Sequence, residues 1–244
     1  MKIIICGKGG AGKSAVAVML SRSLAKKGAV YLLDADESNR RLAYMLGTET
    51  PKTLINYIGG RKEFSAKKDQ IGNIKLGELP DEYLGRSSDG VFLISVGKIE
   101  QFGEGCACAF GALARILLQH LFLNPNEYVI VDAEAGIEHL GRGIEAGIDV
   151  VVSVVDPTME SVTLARFVSD ETARLGKHHL VVLNKTTPEL ETRMKSILKT
   201  EGLSVACVIP PDPVIFESSL GGGVFQAHVA QTRVDALAES ILHI

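Results

Sequence analysis

The residues best suited to chemistry form the segment Gly7–Ser14, which reads Gly-Lys-Gly-Gly-Ala-Gly-Lys-Ser. It matches the phosphate-binding pattern G-x-x-x-x-G-K-S/T, follows a short apolar run and precedes apolar residues at helical spacing. Glycines let backbone N–H groups approach phosphate oxygens, and the N-terminus of the next helix adds partial positive charge. The pattern predicts that Lys13 binds the β- and γ-phosphates and that the Ser14 hydroxyl binds Mg²⁺. The other predicted nucleotide ligands are Gly9, Gly10, Ala11 and Gly12.

Carboxylates follow two other apolar runs. Asp34 and Asp36 come at the end of the second run, and Asp132 directly follows the run Tyr128–Val131. The C-terminal ends of strands line the ligand crevice of an α/β sheet, so carboxylates there face phosphates and need a divalent cation between them. We therefore expect Asp34 and Asp132 to hold Mg²⁺ together with Ser14. The alternative for Asp34 or Asp36 is capping of a helix N-terminus.

The choice of base is indicated by the residues after the run Leu180–Leu183. These are Asn184, Lys185, Thr186 and Thr187. GTPases of this general architecture recognise guanine through the motif N-K-x-D, whose aspartate accepts hydrogen bonds from the base. Threonine stands in the aspartate position here, so the sequence favours ATP over GTP.

The phosphate loop resembles that of the MinD, ParA and nitrogenase iron protein class, because Lys8 adds a second lysine. The resemblance implies that Lys8 reaches across a nucleotide-sandwich dimer to the partner's phosphates, and that Asp36 orients or activates the attacking water. It also implies that Asn184 lies near the adenine, with Pro210 and Asp212 in a nearby loop. A plain loop after the last strand explains those two residues equally well, and a solvated lysine is the alternative for Lys8.

The chain also contains a C-x-C pair, Cys106 and Cys108, just before a segment of helical periodicity. Both side chains of an extended C-x-C point the same way, and a following helix lowers the thiol pKa. Two thiolates do not complete a tetrahedral site, but two copies facing across a two-fold axis supply four. The alternative is a pair of packing cysteines, which a bare C-x-C would favour. In a dimerising ATPase the pair instead favours a Ni²⁺ or Zn²⁺ site, whereas Cys6 and Cys207 are expected in the core.

The elements that position these residues are predicted from seven short apolar runs rich in β-branched residues. Runs without polar alternation are typical of strands buried on both faces of a parallel sheet. Most intervening segments have helical spacing, as in Phe110–Leu121, and strands that alternate with helices indicate βαβ units. The sequence therefore predicts an α/β, three-layer sandwich with a mostly parallel β-sheet, the P-loop NTPase fold. The seven runs are Lys2–Cys6, Val30–Leu33, Val91–Val96, Tyr128–Val131, Val150–Val155, Leu180–Leu183 and Val205–Ile209.

Residues 1–244 are expected to form a single ATPase domain, because no linker or repeat interrupts the alternation. The segment Thr48–Gly90 is less regular and rich in glycine and proline, so we interpret it as an excursion at a sheet edge. The pair His178–His179 is expected in an exposed turn at the entry to a strand.

Composition excludes several classes of function. The 26 basic and 29 acidic residues give a net charge of −3, which does not suggest a nucleic-acid binder or a polybasic membrane anchor. No apolar run reaches the length of a membrane span, and the N-terminus does not resemble a signal peptide. Four cysteines in 244 residues do not form a disulfide framework, so we expect a reducing cytoplasmic location.

Four segments together resemble the carbon monoxide dehydrogenase maturation ATPases of the CooC type. They are Gly7–Ser14, Asp34–Asn39, Gly105–Cys108 and Asp132–Gly143. The resemblance implies a homodimer that binds ATP and Mg²⁺, holds metal at the C-x-C and delivers nickel to an apo carbon monoxide dehydrogenase. Glu134 and His139 would belong to its moving switch segment.

The chain departs from this family in three ways. Glu37 stands where many relatives have proline, which places the shape of that switch in doubt. Arg40 and Arg41 make the following segment unusually basic. No histidine-rich stretch exists, so nothing suggests nickel storage.

Two other functions compete with the metallochaperone. An iron–sulfur carrier or a nitrogenase-iron-protein-like ATPase would also share a metal site across a dimer, although the two cluster cysteines of the nitrogenase protein lie far apart in sequence. A positioning or partition ATPase would attach to membranes or DNA through an amphipathic or basic tail. The C-terminal segment Val234–Ile244 contains no lysine or arginine, which argues against that function.

Overall fold

The computed structural model describes residues 1–36, 41–67, 74–98, 108–133 and 147–244. Within these ranges the strands are β1 (Lys2–Cys6), β2 (Ala29–Asp34), β3 (Gly85–Arg86), β4 (Val91–Ser95), β5 (Glu127–Asp132), β6 (Val150–Val155), β7 (His178–Asn184) and β8 (Val205–Ile209). They form one sheet of order β3-β4-β2-β5-β1-β6-β7-β8. All seven predicted strands are confirmed.

Every strand pair is parallel except β3 with β4, which is antiparallel. Gly85 and Arg86 of β3 pair with Leu93 and Phe92 of β4. A strand of two residues is too short to show a periodic pattern, so the sequence did not reveal it. The mostly parallel sheet is as predicted, and the C-terminal ends of its parallel strands meet at one edge.

The helices in the described ranges are α1 (Lys13–Ala25), α2 (Leu42–Leu46), α3 (Leu54–Tyr57), α4 (Arg61–Lys67), α5 (Cys108–His120), α6 (Met159–Arg174), α7 (Pro188–Thr200), α8 (Pro213–Gly221) and α9 (Val229–Ile241). Two single turns of 3₁₀-helix lie at Leu76–Glu78 and Asp81–Tyr83. None of the helices in the described part of the chain is both long and apolar enough to cross a bilayer.

The central strand β1 shows why its sequence lacks polar alternation. Ile3 and Ile5 pack in a core cluster with α1, α2 and α9, whereas Ile4 packs in a second cluster with α3, α4 and α5. Successive side chains of a strand point to opposite faces, so both faces must be apolar when helices cover both. Helices α6 and α7 pack on strands β6–β8 in a third cluster. The predicted three-layer architecture is confirmed.

Helix α5 matches its predicted apolar stripe. Phe110, Leu113, Leu117 and Leu118 are all buried in the second core cluster. The structure begins this helix at Cys108, two residues before the predicted start.

The irregular segment Thr48–Gly90 lies at the edge of the sheet that β3 and β4 form, as expected. It contains α3, α4, the two 3₁₀ turns and β3, and its residues 68–73 lie outside the described ranges. The isolated bridge between Thr53 and Ser95 ties the start of α3 to the end of β4.

The expectation of an exposed turn at His178–His179 is wrong. Both residues belong to β7, where they pair with Val150 and Val151 of β6. His179 is half-buried, and its Nε2 atom lies 2.8 Å from Ser153 Oγ, a polar partner on the neighbouring strand. Burial lowers the pKa of His179 to about 4, so the ring is neutral at pH 7.

Candidate nucleotide site

The phosphate loop connects β1 to α1, as predicted. Gly12 precedes the helix with φ 101°, a left-handed conformation that favours glycine, and a Cβ at this position would overlap the amide of Asn184. Among the described residues no side chain caps the N-terminus of α1, and its first turn carries no acidic residue. The backbone N–H groups at this end, which a helix cannot pair internally, are therefore suited to bind an anion.

Lys13 occupies the position that a phosphate-binding lysine requires. Lys13 is only 8% exposed, and its Nζ donates to the carbonyl of Lys8 at 3.4 Å. The N–H of Ala11 donates to the same carbonyl at 3.1 Å, which closes the loop on itself. The charge of Lys13 also acts on buried Asp132. A phosphate oxygen would offer this ammonium a stronger hydrogen bond than the carbonyl at 3.4 Å.

Two buried carboxylates lie side by side beside this loop. Asp34 and Asp132 are paired in register at the ends of β2 and β5. Ser14 Oγ donates to Asp132 Oδ2 at 2.7 Å. Burial raises the pKa of Asp34 to about 7 and that of Asp132 to about 6, and the negative charge of Asp36 contributes to both shifts. The role predicted for Asp36 toward the attacking water stays a prediction.

These oxygen atoms fit a bound Mg²⁺. Hydroxyl and carboxylate oxygens are the ligands that Mg²⁺ prefers, and a cation would offset the cost of burying Asp34 and Asp132. Asp34 Oδ1 is buried and has no hydrogen-bond partner within the described residues, so it is an orphaned acceptor at the predicted position. Ser14, Asp34 and Asp132 are the residues that would hold the ion.

Lys98 is a site residue that sequence reasoning missed. Its Nζ lies 2.6 Å from Asp34 Oδ2 and donates to the backbone oxygen of Asp36 at 2.5 Å. The side chain of Lys98 is only 12% exposed. Its position three residues after Ser95, the last residue of β4, was the available signal, because that end of a parallel strand borders the ligand crevice.

Lys8 binds acidic residues of its own chain. Its Nζ lies 3.5 Å from Asp156 Oδ2 and 3.4 Å from Glu160 Oε2, and it donates to Thr158 Oγ1 at 3.4 Å. These partners follow β6 and begin α6. The side chain of Lys8 is 24% exposed, so it lies at the surface of the site. Its role toward a second chain stays a prediction.

Asn184, the last residue of β7, and Lys185, which follows it, both donate hydrogen bonds to the phosphate loop. Asn184 is buried and its Nδ2 donates to the carbonyl of Ala11 at 2.8 Å, while Lys185 Nζ donates to the carbonyl of Gly10 at 2.7 Å. Lys185 has φ 57°, an uncommon conformation for a lysine. Both residues thus shape the loop, and the adenine contact predicted for Asn184 stays a prediction.

The loop Pro210–Asp212 joins β8 to α8. Asp212 caps α8 by accepting from the N–H of Val214 at 3.0 Å. It also accepts from the N–H groups of His228 and Ala230, at 3.0 and 3.1 Å. Its carboxylate is therefore an organising acceptor for the start of α8 and α9, and a contact of Pro210 or Asp212 with adenine stays a prediction.

A cavity of about 560 Å³ borders the phosphate loop. It is lined by Ser14, by Arg41 and Tyr44 around the start of α2, and by Gly222 and Phe225 after α8. Sequence reasoning noted Arg41 only as a source of positive charge. The cavity offers space for a ligand beside Ser14.

Several of the predicted transition-metal and switch residues lie outside the described residues. Cys106, Glu37, Glu134 and His139 lie outside the described residues, and Cys108 is described only as the first residue of α5. Within the described part of the chain, His, Cys, Asp and Glu form no cluster of three that could hold a metal ion.

The core role expected for the other two cysteines is confirmed. Cys6 and Cys207 are buried, and burial raises the pKa of each thiol to about 11. Both are therefore protonated at pH 7 and unsuited to bind metal as thiolates.

Comparison with known proteins supports a nucleotide site. Residues 2–223 match the model of the CobQ/CobB/MinD/ParA nucleotide binding domain. The chain is 41% identical to the uncharacterized ATP-binding protein MJ0084 of Methanocaldococcus jannaschii, over 96% of this chain and 97% of that protein. It is 33% identical to the carbon monoxide dehydrogenase accessory protein CooC of Rhodospirillum rubrum, over 72% of this chain and 70% of CooC.

The fold also matches a solved structure. The septum site-determining protein MinD of Pyrococcus horikoshii, in complex with Mg-ADP, superposes with a TM-score of 0.70. The match covers 98% of this chain and 95% of MinD at 18% sequence identity, so it shows the fold alone.

Proposed function

Because the chain belongs to the CobQ/CobB/MinD/ParA nucleotide-binding family, we propose that it is a dimeric, Mg²⁺-dependent ATPase that carries a metal ion to an apo-enzyme. The hydrogen bond from Ser14 to Asp132, beside buried Asp34, is the observation that carries the ATPase half of this proposal. In it, residues 1–244 act as one ATPase domain in the cytoplasm, without nucleic acid or membrane as a partner.

Each side chain of the site has its own role in hydrolysis. Lys13 stabilises negative charge on the transferring phosphoryl group, where catalysis is mostly electrostatic. Ser14, Asp34 and Asp132 hold Mg²⁺, which neutralises phosphate charge when bound. Asp36 orients the attacking water and accepts its proton. Lys8 leaves its acidic partners and reaches the nucleotide of a second copy.

The metal half of the proposal rests on the C-x-C and on the similarity to CooC. Cys108 is the first residue of α5, and Cys106 precedes it by two residues in the sequence. A helix N-terminus favours thiolates. Two such pairs across a dimer axis would supply four sulfur ligands for Ni²⁺ or Zn²⁺. The cargo is nickel and the client is an apo carbon monoxide dehydrogenase, which is the protein that the name of CooC refers to.

Metal titration with light scattering tests the proposal. We expect one divalent metal per dimer in the parent, and loss of that binding in a Cys106→Ala/Cys108→Ala variant. A Cys6→Ala/Cys207→Ala variant is the matched control, because it removes two buried thiols and should keep the metal. One metal per monomer, or undiminished affinity in the first variant, would place the metal elsewhere.

The ATPase half has a separate test. The parent should hydrolyse ATP slowly, only with Mg²⁺, and should bind GTP less tightly because Thr187 replaces the guanine-reading aspartate. Lys13→Ala should abolish turnover, whereas Lys27→Ala, which removes an exposed lysine beyond the opposite end of α1, should not. GTP binding as tight as ATP binding would refute the choice of base.

A further inference from the structure

The ammonium group of Lys98 lies where Mg²⁺ is expected to bind. Its ammonium lies between buried Asp34 and the backbone of Asp36, and its charge also acts on Asp132. A lysine of the chain itself therefore neutralises a carboxylate that is predicted to hold Mg²⁺. Mg²⁺ and the Lys98 ammonium would compete for Asp34, because two cations at one carboxylate repel each other strongly in a buried site.

A second position for the ammonium lies beside the first. Lys98 and Asp34 line a cavity of about 420 Å³ that also includes Thr53 and Ser95. The hydroxyls of Thr53 and Ser95 are buried and, within the described residues, neither has a hydrogen-bond partner. Buried hydroxyls of this kind are costly unless they find a partner. They are suitable acceptors for an ammonium that has left Asp34.

The backbone next to Lys98 contacts the helix that begins with Cys108. A Cβ on Gly97 would overlap the ring of Phe110, so the two residues are in direct contact in the first turn of α5. Val96 donates from its N–H to the carbonyl of Asp34 at 3.0 Å and accepts from the N–H of Ile55 at 3.0 Å. The segment Val96–Lys98 therefore joins the end of β2, the start of α3 and the start of α5.

We propose that Lys98 is a positioning residue with two positions: it holds Asp34 and Asp36 through the contacts described above, and Mg²⁺-nucleotide displaces it toward Thr53 and Ser95. Its movement shifts the backbone at Gly97 and thereby the first turn of α5. The state of the nucleotide site is thus passed to the helix that begins at Cys108. This inference rests on the proposed Mg²⁺-nucleotide site and adds the element through which that site regulates metal binding.

The first test compares ADP affinity with and without Mg²⁺, in the absence of any transition metal. Lys98→Met removes the competing charge, so Mg²⁺ should increase ADP affinity at least about tenfold more than in the parent. Lys52→Met is the control, because Lys52 borders the same cavity but pairs with Glu82 at the surface. It should show the parental increase.

The second test is hydrogen exchange of the parent, which needs no variant. Adding Mg²⁺-ADP should increase amide exchange at residues 96–98 and change it in the first turn of α5, and ADP with EDTA should not. A Thr53→Val/Ser95→Ala variant should reduce the gain in ADP affinity from Mg²⁺ by about threefold or more, because the displaced ammonium loses its acceptors.

The outcomes are distinguishable. The inference would be overturned if Mg²⁺ increased the ADP affinity of Lys98→Met by the same factor as that of the parent. It would also be overturned if Mg²⁺-ADP left amide exchange in α5 of the parent unchanged. Either result would leave the ATPase proposal intact. Failure of the parent to bind ADP at all would refute both. Failure of the C-x-C to bind metal would refute only the metal half of the proposed function, because neither test here uses such a metal.

Discussion

At the scale of single residues, the site is dominated by ionisable side chains that are buried. Lys13, Asp34 and Asp132 are each less than a tenth exposed. Burial disfavours the charged carboxylates and raises the pKa of both aspartates. Such groups are expensive in a structural core, and their concentration beside the phosphate loop is typical of a functional site.

Asp36 should be required for turnover but not for binding. Asp36→Ala removes the group that we assign to the attacking water, which lowers kcat by about 10²–10⁴-fold and changes ATP affinity only slightly. Steady-state hydrolysis and equilibrium ATP binding measure the two effects. Asp81→Ala, which removes a carboxylate with an 87% exposed side chain, is the control and should behave as the parent. Hydrolysis by Asp36→Ala at the parental rate would show that the assigned role is wrong.

His179 should make the fold sensitive to acid. Its pKa of about 4 in the folded chain lies below the unfolded value of 6.5, so below pH 6.5 the unfolded chain takes up a proton that the folded chain does not. The contribution of His179 to stability is therefore lost as pH falls from 6.5 toward 4, by about 1–2 kcal/mol at pH 5. The raised pKa values of Asp34 and Asp132 act in the opposite direction, so the loss is measured as the difference between the parent and a His179 variant.

Urea unfolding at pH 7.5 and pH 5 measures this loss. His179→Gln should lose less stability than the parent between the two pH values, and His178→Gln, at the exposed neighbouring position, should lose the same as the parent. Equal losses in all three proteins would contradict the buried, neutral state of His179.

At the scale of elements, the loops after β1, β7 and β8 hold one another in place. Asn184 and Lys185 donate to the carbonyls of the phosphate loop, so β7 fixes the backbone that binds phosphate. Asp212 fixes the starts of both α8 and α9. The site is thus shaped by side-chain-to-backbone hydrogen bonds between elements that lie far apart in sequence.

Asp212→Ala should destabilise the fold. It leaves the N–H groups of Val214, His228 and Ala230 without their acceptor, which costs about 2 kcal/mol or more in the free energy of unfolding. Asp212→Asn keeps an oxygen acceptor and should cost less. Urea unfolding of both variants checks this order, and no loss of stability in Asp212→Ala would refute the capping role. A change of ATP affinity in Asp212→Asn, at unchanged stability, would support the adenine contact.

At the scale of the whole molecule, one sheet gathers the reacting groups at one edge. The order β4-β2-β5-β1 brings the ends of these four strands side by side, with Lys98, Asp34, Asp132 and the phosphate loop following them in turn. Lys8 lies at the surface of this edge, where a second copy could approach. Assembly of two copies is therefore the level at which Lys8 is expected to act.

Lys8→Gln should weaken nucleotide-dependent dimerisation by about tenfold or more, because it removes a charge from the predicted contact with the partner's phosphates. ATP binding by the single chain should change little. Light scattering with a non-hydrolysable ATP analogue measures the dimer, and Lys27→Gln, which disrupts an exposed ion pair with Glu239, is the control. Parental dimerisation in Lys8→Gln would leave Lys8 with only its contacts to Asp156 and Glu160.

Features encoded by contiguous residues could be predicted from the sequence. The phosphate loop is a local motif, and the buried strands are local apolar runs, so the sequence alone predicted Lys13, Ser14, the end of β5 at Asp132 and the parallel three-layer fold. The amphipathic stripe of α5 was equally local. Each of these signals depends on burial or backbone geometry repeated over a few neighbouring residues.

The partners of side chains were decided only by the tertiary structure. Lys98 reaches Asp36 across 62 residues of sequence, and Asn184 reaches Ala11 across 173. His179 pairs with Val151 in the sheet and contacts Ser153 on the same neighbouring strand. Such contacts depend on strand order and register, which arise from the packing of the whole sheet and leave no periodic trace in any short segment. The sequence therefore determined which residues form the phosphate loop and end the strands, and the tertiary structure determined that Lys98, three residues after β4, lies against Asp34, one of the predicted Mg²⁺ ligands.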